Sequence, residues 1–337
     1  MSRGAAHGKV ILFGEHAVVY GVPALAVGID RGAWAEATHV THARSVMHVC
    51  GWDVTITDSP DDDAPPLARA FRGLLAATRE AQRTAGVAPV AAVSVEAEAD
   101  LPPGGGLGCS AALGVAVARA LDPSAPPEAI AARVEAWERV FHGNPSGIDA
   151  AVSALGGCVH FTRSADGAPE IERVRVPVSL HLAVGHSGQS SSTKSMVESV
   201  ARMRERRPET TQRTFDAIHT LVKNARLAIA DGDLRAIGQL LDLNQMLLSS
   251  LFVSTPEIEQ MCGTARSAGA LGAKLTGAGG GGCVVALVEN AAVGATVLAA
   301  WKAEGFDGFE ATVKADVENV LELLAKRTST LATAESP

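Results

Sequence analysis

The sequence predicts a mixed α and β fold. Three observations carry that expectation. Apolar runs of strand character alternate with amphipathic helical stretches along the chain. The length, 337 residues, suits about two domains and buries on the order of 70–75 % of the unfolded chain's surface. Glycine is abundant, at 34 residues, and where it clusters the backbone can approach a ligand closely.

Residues 9–14 read as a buried strand, 24–27 and 34–37 as further short strands, and 93–97 alternate with period two. Residues 58–66, rich in Asp and Pro, form a solvated loop. Residues 66–85 predict a helix: Leu67, Phe71, Leu74, Leu75 and Thr78 share one face, and Gly86 stops it. A second helix is expected over 107–121; it is apolar nearly all round and therefore buried. Pro127 opens a third, with a stripe of Ile130, Val134, Trp137 and Phe141. Residues 156–161 look like a strand. The charged stretch 163–177, broken by Gly and Pro, marks a domain boundary, giving units 1–178 and 179–327 and a polar tail 328–337. The second unit reads as a strand (180–185) followed by helices over 194–206, 209–230, 234–250 and 256–268, the last with Thr255 as N-cap. Strands at 273–276 and 283–288 flank a glycine run, and helices at 291–304 and 317–326 close the chain.

Composition excludes several classes. A hydrophobic fraction of 47 % with 20 % charged residues argues against disorder. Lys+Arg at 29 against Asp+Glu at 37 gives a net charge of −8, so neither nucleic acid nor an anionic membrane surface is an expected partner. No apolar run approaches the ~18 residues of a membrane span, and the first residues lack the pattern of a secretory signal. The cysteines (Cys50, Cys109, Cys158, Cys262, Cys283) are scattered, which excludes a zinc ribbon and points to a reducing cytoplasm. The signatures of P-loop proteins, dinucleotide-binding folds, nucleophile-elbow hydrolases, zincins and protein kinases are absent.

The densest remaining signal is Asp100-Leu101-Pro102-Pro103-Gly104-Gly105-Gly106-Leu107-Gly108-Cys109-Ser110-Ala111-Ala112. A glycine-rich loop feeding a helix N-terminus aims backbone N–H groups and the positive end of the dipole at an anion, for which phosphate is the natural ligand. The Ser110 hydroxyl, in the first turn, can reach a metal or a phosphate oxygen. A tight turn into a buried helix is the plainer alternative. Glu138 falls at the edge of the third helix's apolar stripe, so its half-inward carboxylate needs a partner such as a cation. Asp149 follows the turn His142-Gly143-Asn144-Pro145-Ser146-Gly147; it is either a capping residue or, beside Glu138, one of a metal-ligand and base pair. Lys9 starts a buried strand and Glu15-His16 end it; a solvated strand start and a turn explain them equally well. Five glycines within Gly277-Ala278-Gly279-Gly280-Gly281-Gly282 read as a tight backbone loop or a hairpin. The hydroxyl-rich run from His186 to Lys194 serves as N-capping or as polar substrate contact.

Together, residues 8–26, 101–112, 138–157, 191–200 and 274–283 resemble, in order and from end to end, the GHMP small-molecule kinases, and among them the mevalonate kinases. Gly-Glu-His-Ala-Val-Val-Tyr-Gly, His-Gly-Asn-Pro-Ser-Gly-Ile-Asp and Lys-Leu-Thr-Gly-Ala-Gly-Gly-Gly-Gly-Cys occur together, which makes the match specific. Galactokinases share Gly-Glu-His but usually continue Thr-Asp-Tyr, and homoserine kinases generally lack the aspartate at 149. The resemblance implies an α+β fold, with an N-terminal domain like the second domain of ribosomal protein S5 and a ferredoxin-like C-terminal domain. ATP and mevalonate would sit in the cleft between them. Asp149 would take the proton of the C5 hydroxyl, and Lys9 would pair with it. Ser110 and Glu138 would hold Mg²⁺. Pro103, Gly104, Gly105, Gly106, Leu107, Gly108, Cys109, Ser110 and Ala111 would wrap the phosphates, and Gly277, Ala278, Gly279 and Gly280 would border them. Glu15, His16, Thr193 and Asp149 would lie near mevalonate. The family also implies a homodimer.

Two departures stand out. His7 occupies the place of the family's usual proline, which loosens the strand entry. Cys109 replaces the first serine of the phosphate loop, removing a hydroxyl donor near the phosphates; it reads as an isosteric stand-in, with sensitivity to thiol reagents the alternative. Alternatives within the superfamily are kinases for phosphomevalonate, a sugar or an amino-alcohol. Outside catalysis, a ligand-binding sensor competes, although intact Lys9, Ser110, Glu138 and Asp149 argue against it; a decarboxylase of the same fold fits the Glu138 and His16 motifs poorly.

Overall fold

The computed structural model describes residues 1–41, 44–102, 104–142, 145–163, 169–189 and 191–316. The expected helix at 317–326 and the tail at 328–337 lie outside them. Two sheets organise the chain. The first has seven strands in the order β4-β3-β5-β2-β6-β7, with β1 paired to β2: β1 (Ser2–Phe13), β2 (Ala24–His39), β3 (Val46–Val49), β4 (Val54–Thr57), β5 (Val93–Ala99), β6 (Cys158–Thr162) and β7 (Glu170–Val174). Only β3 and β5 run parallel. The helices α1 (Pro66–Thr84), α2 (Cys109–Leu121), α3 (Pro127–His142) and α4 (Ile148–Leu155) accompany it.

The expected pair of short strands at 24–27 and 34–37 is one strand, β2. Asp30-Arg31 breaks the apolar pattern, but the break is a bulge: Ile29 pairs with Gly8 and Gly32 with His7, leaving Asp30 and Arg31 without partners on β1. Ala24–Val27 pairs with β6 and Ala33–His39 with β5, so β2 spans the sheet's centre. Helix α2 is buried nearly all round, as its apolar composition requires, and packs on β1 and β2. In α3 the inward stripe ends at Trp137; Phe141, expected in the core, is 38 % exposed and leans on the Trp137 ring at 6.1 Å. Position 141 lies in the last turn of α3.

The segment around Asp149, where a capping acid and a base are both open readings, opens helix α4. Its inward face, Ile148 and Val152, packs with Ile11, Val18, Ala24, Ala26, Val159 and Phe161 in a small cluster of its own. Burying each of those two side chains contributes about 1.5–3 kcal/mol. That packing fixes where Asp149 points.

The second sheet is antiparallel throughout, in the order β11-β8-β10-β9: β8 (Leu180–His186), β9 (Gly272–Thr276), β10 (Cys283–Val288) and β11 (Asp307–Val313). Around it lie α5 (Thr193–Arg206), α6 (Pro208–Asp231), α7 (Leu234–Ser250), α8 (Pro256–Ser267) and α9 (Ala291–Ala303). Thr255 caps α8 by accepting from the Ile258 N–H. Among the described residues no helix is long and apolar enough to cross a membrane.

Candidate active site

Lys9 sits inside the protein. Its side chain is 4 % exposed, and its ammonium lies 3.0 Å from Asp149 Oδ1 and donates to the Gly106 carbonyl at 3.2 Å. A buried ammonium is costly unless paired, so these contacts fix the site's geometry. The Lys9 N–H donates to the Leu107 carbonyl at 2.8 Å, joining β1 to the glycine loop. Gly108 lies against Lys9 with φ +70°; a Cβ there would come 3.2 Å from Lys9 Cβ. Glycine is therefore required by both conformation and space.

Asp149 lies in the first turn of α4, whose N-cap is Gly147 at φ +85°. The dipole of that turn favours a carboxylate. Ser110 lies in the first turn of α2, whose N-cap Gly108 offers no side-chain cap, so the first N–H groups remain open to a ligand. The Ser110 hydroxyl donates to Glu138 Oε1 at 2.7 Å and accepts from the Trp137 indole at 3.1 Å. Trp137 was legible only as a core aromatic, yet it orients the serine. Glu138 is 3 % exposed. Burial, aided by the Asp149 charge, pushes its carboxyl up to about 7, against the pull of Ser110 and Lys9. His142 Nε2 lies 3.6 Å from its other oxygen.

The hydroxyl and the carboxylate are hard oxygen donors, and the local carboxylates outnumber the one lysine. That donor set fits a magnesium ion completed by phosphate oxygens and water. Among the described residues no three His, Cys, Asp or Glu side chains gather into a metal site; a phosphate-borne Mg²⁺ needs no such cluster.

The two glycine loops meet. Gly104, Gly106 and Gly108 all have positive φ, as do Gly277 and Gly279–Gly282. A Cβ on Gly277 would lie 3.4 Å from Gly106 Cα, and one on Gly105 would lie 3.0 Å from Cys283 Sγ. Ala278 accepts from the His16 ring at 2.8 Å, and Gly279 accepts from the Ser191 hydroxyl at 2.6 Å. Burial holds the His16 imidazole below the usual histidine value, the Ala278 bond opposing. Leu107 and Ala111 are buried supports, and Pro103 lies outside the described residues.

For Glu15 the expectation is substrate contact. The structure gives both its oxygens protein partners: Lys274 on Oε1, and Asn244 Nδ2 on Oε2 at 3.2 Å. Lys274 is wholly buried and also donates to the Ile11 carbonyl at 3.3 Å. Both partners were missed. Lys274 was absorbed into a loop motif, and Asn244 interrupts the stripe Ile237, Leu241, Leu248, which was the available signal. Thr193 opens α5, exposed, after the Ser192 N-cap, and among the described residues nothing joins its side chain to Asp149. The burial of Cys109 argues against the alternative of a reactive thiol there. Its thiol is 8 % exposed, approaches the Leu101 carbonyl at 3.7 Å, and is pushed up to about 11 by burial.

The arrangement thus joins a helix terminus open to an anion, a candidate cation pair and a lysine-paired carboxylate. Residues 70–157 match the family described as GHMP kinases N terminal domain, and residues 225–307 match GHMP kinases C terminal. A mevalonate kinase of Thermococcus sibiricus is 34 % identical, covering 85 % of this chain and 89 % of the relative. One of Pyrococcus abyssi is 35 % identical, covering 85 % and 88 %. The crystal structure of L. major mevalonate kinase in complex with R-mevalonate aligns with a TM-score of 0.76 at 28 % identity, covering 94 % of this chain and 97 % of that one.

Proposed function

The chain belongs to the mevalonate kinase family of the GHMP kinases, and from that premise we propose that it transfers the γ-phosphoryl group of ATP to the C5 hydroxyl of mevalonate. The observation that carries the mechanism is the Lys9–Asp149 pair at 3.0 Å, set beside the Gly106 carbonyl of the glycine loop.

Phosphoryl transfer needs positioning and charge neutralisation more than covalent help. The glycine loop and the open N–H groups of α2 bind the phosphates. Ser110 and Glu138 would hold Mg²⁺, which when bound neutralises phosphate charge. Asp149 takes the proton of the attacking hydroxyl, and Lys9 holds that carboxylate in place, then stabilises charge developing on the alcohol oxygen. His16 and the Gly277–Gly280 loop close the far side. Thr193, at the exposed start of α5, would meet the acceptor. A homodimer in the cytoplasm completes the reading, and light scattering of the purified chain tests the dimer.

The test of substrate is ADP release with Mg²⁺ and a panel of mevalonate, phosphomevalonate, galactose and homoserine. Turnover is expected with mevalonate. Turnover of another alcohol with none of mevalonate overturns the assignment.

A further inference from the structure

We propose that Asn244 is a positioning residue for phosphoryl transfer, acting through the Glu15 carboxylate on His16 and the second glycine loop. Asn244 is wholly buried on the apolar face of α7. Its Nδ2 donates to Glu15 Oε2 at 3.2 Å, while its Oδ1 has no hydrogen-bond partner. An apolar side chain of the same size would leave no orphaned acceptor, so the amide is an expensive way to fill that space. What it supplies is a donor aimed at a buried carboxylate.

The other Glu15 oxygen takes Lys274, whose ammonium also holds the Ile11 and Leu275 carbonyls. Glu15 is therefore clamped from α7 on one side and from β9 on the other. The next residue, His16, has φ +59° and ψ −49° and centres a γ-turn closed by the Ala17 N–H on the Glu15 carbonyl at 2.6 Å, a strained backbone that a non-glycine residue keeps only when its surroundings insist. From that backbone its ring reaches the Ala278 carbonyl at 2.8 Å, and the loop carrying Ala278 lies against Gly106. The chain of contacts runs from Asn244 to the phosphate loop without touching a reacting atom.

The inference rests on the mevalonate kinase reading for its kinetic assay. The test is an isosteric exchange in the full chain: Glu15→Gln, Asn244→Asp, and the two together. Each single change unbalances the buried charges. The pair restores one carboxylate, one amide and one ammonium at the same atom count, with the amide now on β1's side of the contact donating to a carboxylate on α7. Each single variant is expected to lose about 10- to 100-fold in kcat with KM for ATP little changed, and the double variant to regain most of it. A folded double variant no better than the worse single overturns the clamp, because Glu15 would then need its own charge. Should the singles fail to fold, Asn244→Leu keeps the Glu15–Lys274 pair: reduced kcat at wild-type thermal stability supports the proposal, and normal kcat overturns it. Hydrogen exchange over residues 14–17 in Asn244→Leu is independent of the acceptor. Faster exchange there, with α2 unchanged, supports the clamp even if wild-type protein leaves mevalonate untouched, and unchanged exchange overturns it.

Discussion

Lys9 Nζ lies 3.0 Å from Asp149 Oδ1, and the two partners are unequally enclosed, at 4 % and 31 % side-chain exposure. The lysine is sealed beneath the glycine loop, whereas the carboxylate keeps an open side. A carboxylate so placed accepts a proton from an incoming hydroxyl without losing its counter-ion. Asp149→Asn should lower kcat by on the order of 10²-fold or more while Mg-ATP still binds, as read by steady-state turnover and nucleotide titration. Near-normal turnover removes Asp149 as the base.

Ser110 joins the Glu138 carboxylate, to which it donates, and the Trp137 indole, from which it accepts. A hydrogen bond to a charged group contributes about 1.5–3 kcal/mol, so Ser110→Ala should lower kcat/KM for Mg-ATP roughly 10- to 100-fold. The Mg²⁺ concentration for half-maximal rate should rise with it. Ser110→Thr, which keeps the hydroxyl, should recover part of the loss. An unaltered Mg²⁺ dependence in the alanine variant takes Ser110 out of the cation site.

A reactive thiol at Cys109 is the alternative to an isosteric stand-in, and burial argues against it. Cys158, Cys262 and Cys283 are each pushed up to about 12 by burial, and only Cys50 is half-exposed. Its own thiol is raised by desolvation and by Glu96 beside it. Titration of the native protein with a chromogenic disulfide at pH near 8 should label about one thiol, and slowly, against five in denaturant. Rapid loss of activity that tracks labelling at position 109 contradicts this.

Helices long enough to show a period were legible in the sequence, whereas the long strand β2 was split by Asp30-Arg31 at its bulge. Helix α7 runs over Leu234–Ser250 as its pattern indicates, and β10 over Cys283–Val288 likewise. What escaped was short or polar. β3 and β4 have four residues each, too few for alternation to register. β7 carries Glu170, Glu172 and Arg173 at a sheet edge, where polar residues on both faces cost little. α4 begins just after Pro145-Ser146-Gly147, residues that signal a turn, and its eight residues give barely two turns of pattern. In the site, Glu138 was visible because a carboxylate at the edge of an apolar stripe demands a partner. Lys9 carries no such signal in its own residues, because a lysine at a strand start looks the same whether solvated or sealed; the family resemblance alone paired it with Asp149, and the meeting of β1, α2 and α4 brings the two to 3.0 Å.

His7, at the bulge between β1 and β2, gives a pH test away from the reacting groups. Its Nδ1 bonds the Ile29 carbonyl at 3.0 Å. Burial holds the imidazole below the usual value of 6.5; the Ile29 bond and Asp30 oppose this, while Arg119 and Lys314 add to it. The folded chain therefore keeps His7 neutral at pH values where the unfolded chain has taken a proton. Stability from this residue is present above 6.5 and is lost as pH falls through the window below it. Glu138 works in the opposite sense. Its carboxyl rests at about 7 in the fold against 4.5 unfolded, so acidification relieves its burial. A wild-type melting curve against pH mixes the two, but Glu138 is common to both proteins when wild type is compared with His7→Gln. Glutamine can still donate to Ile29 and cannot titrate. The fall in Tm from pH 8 to pH 5 should be smaller in His7→Gln than in wild type, and parallel curves would show that His7 does not titrate out of register with the unfolded chain.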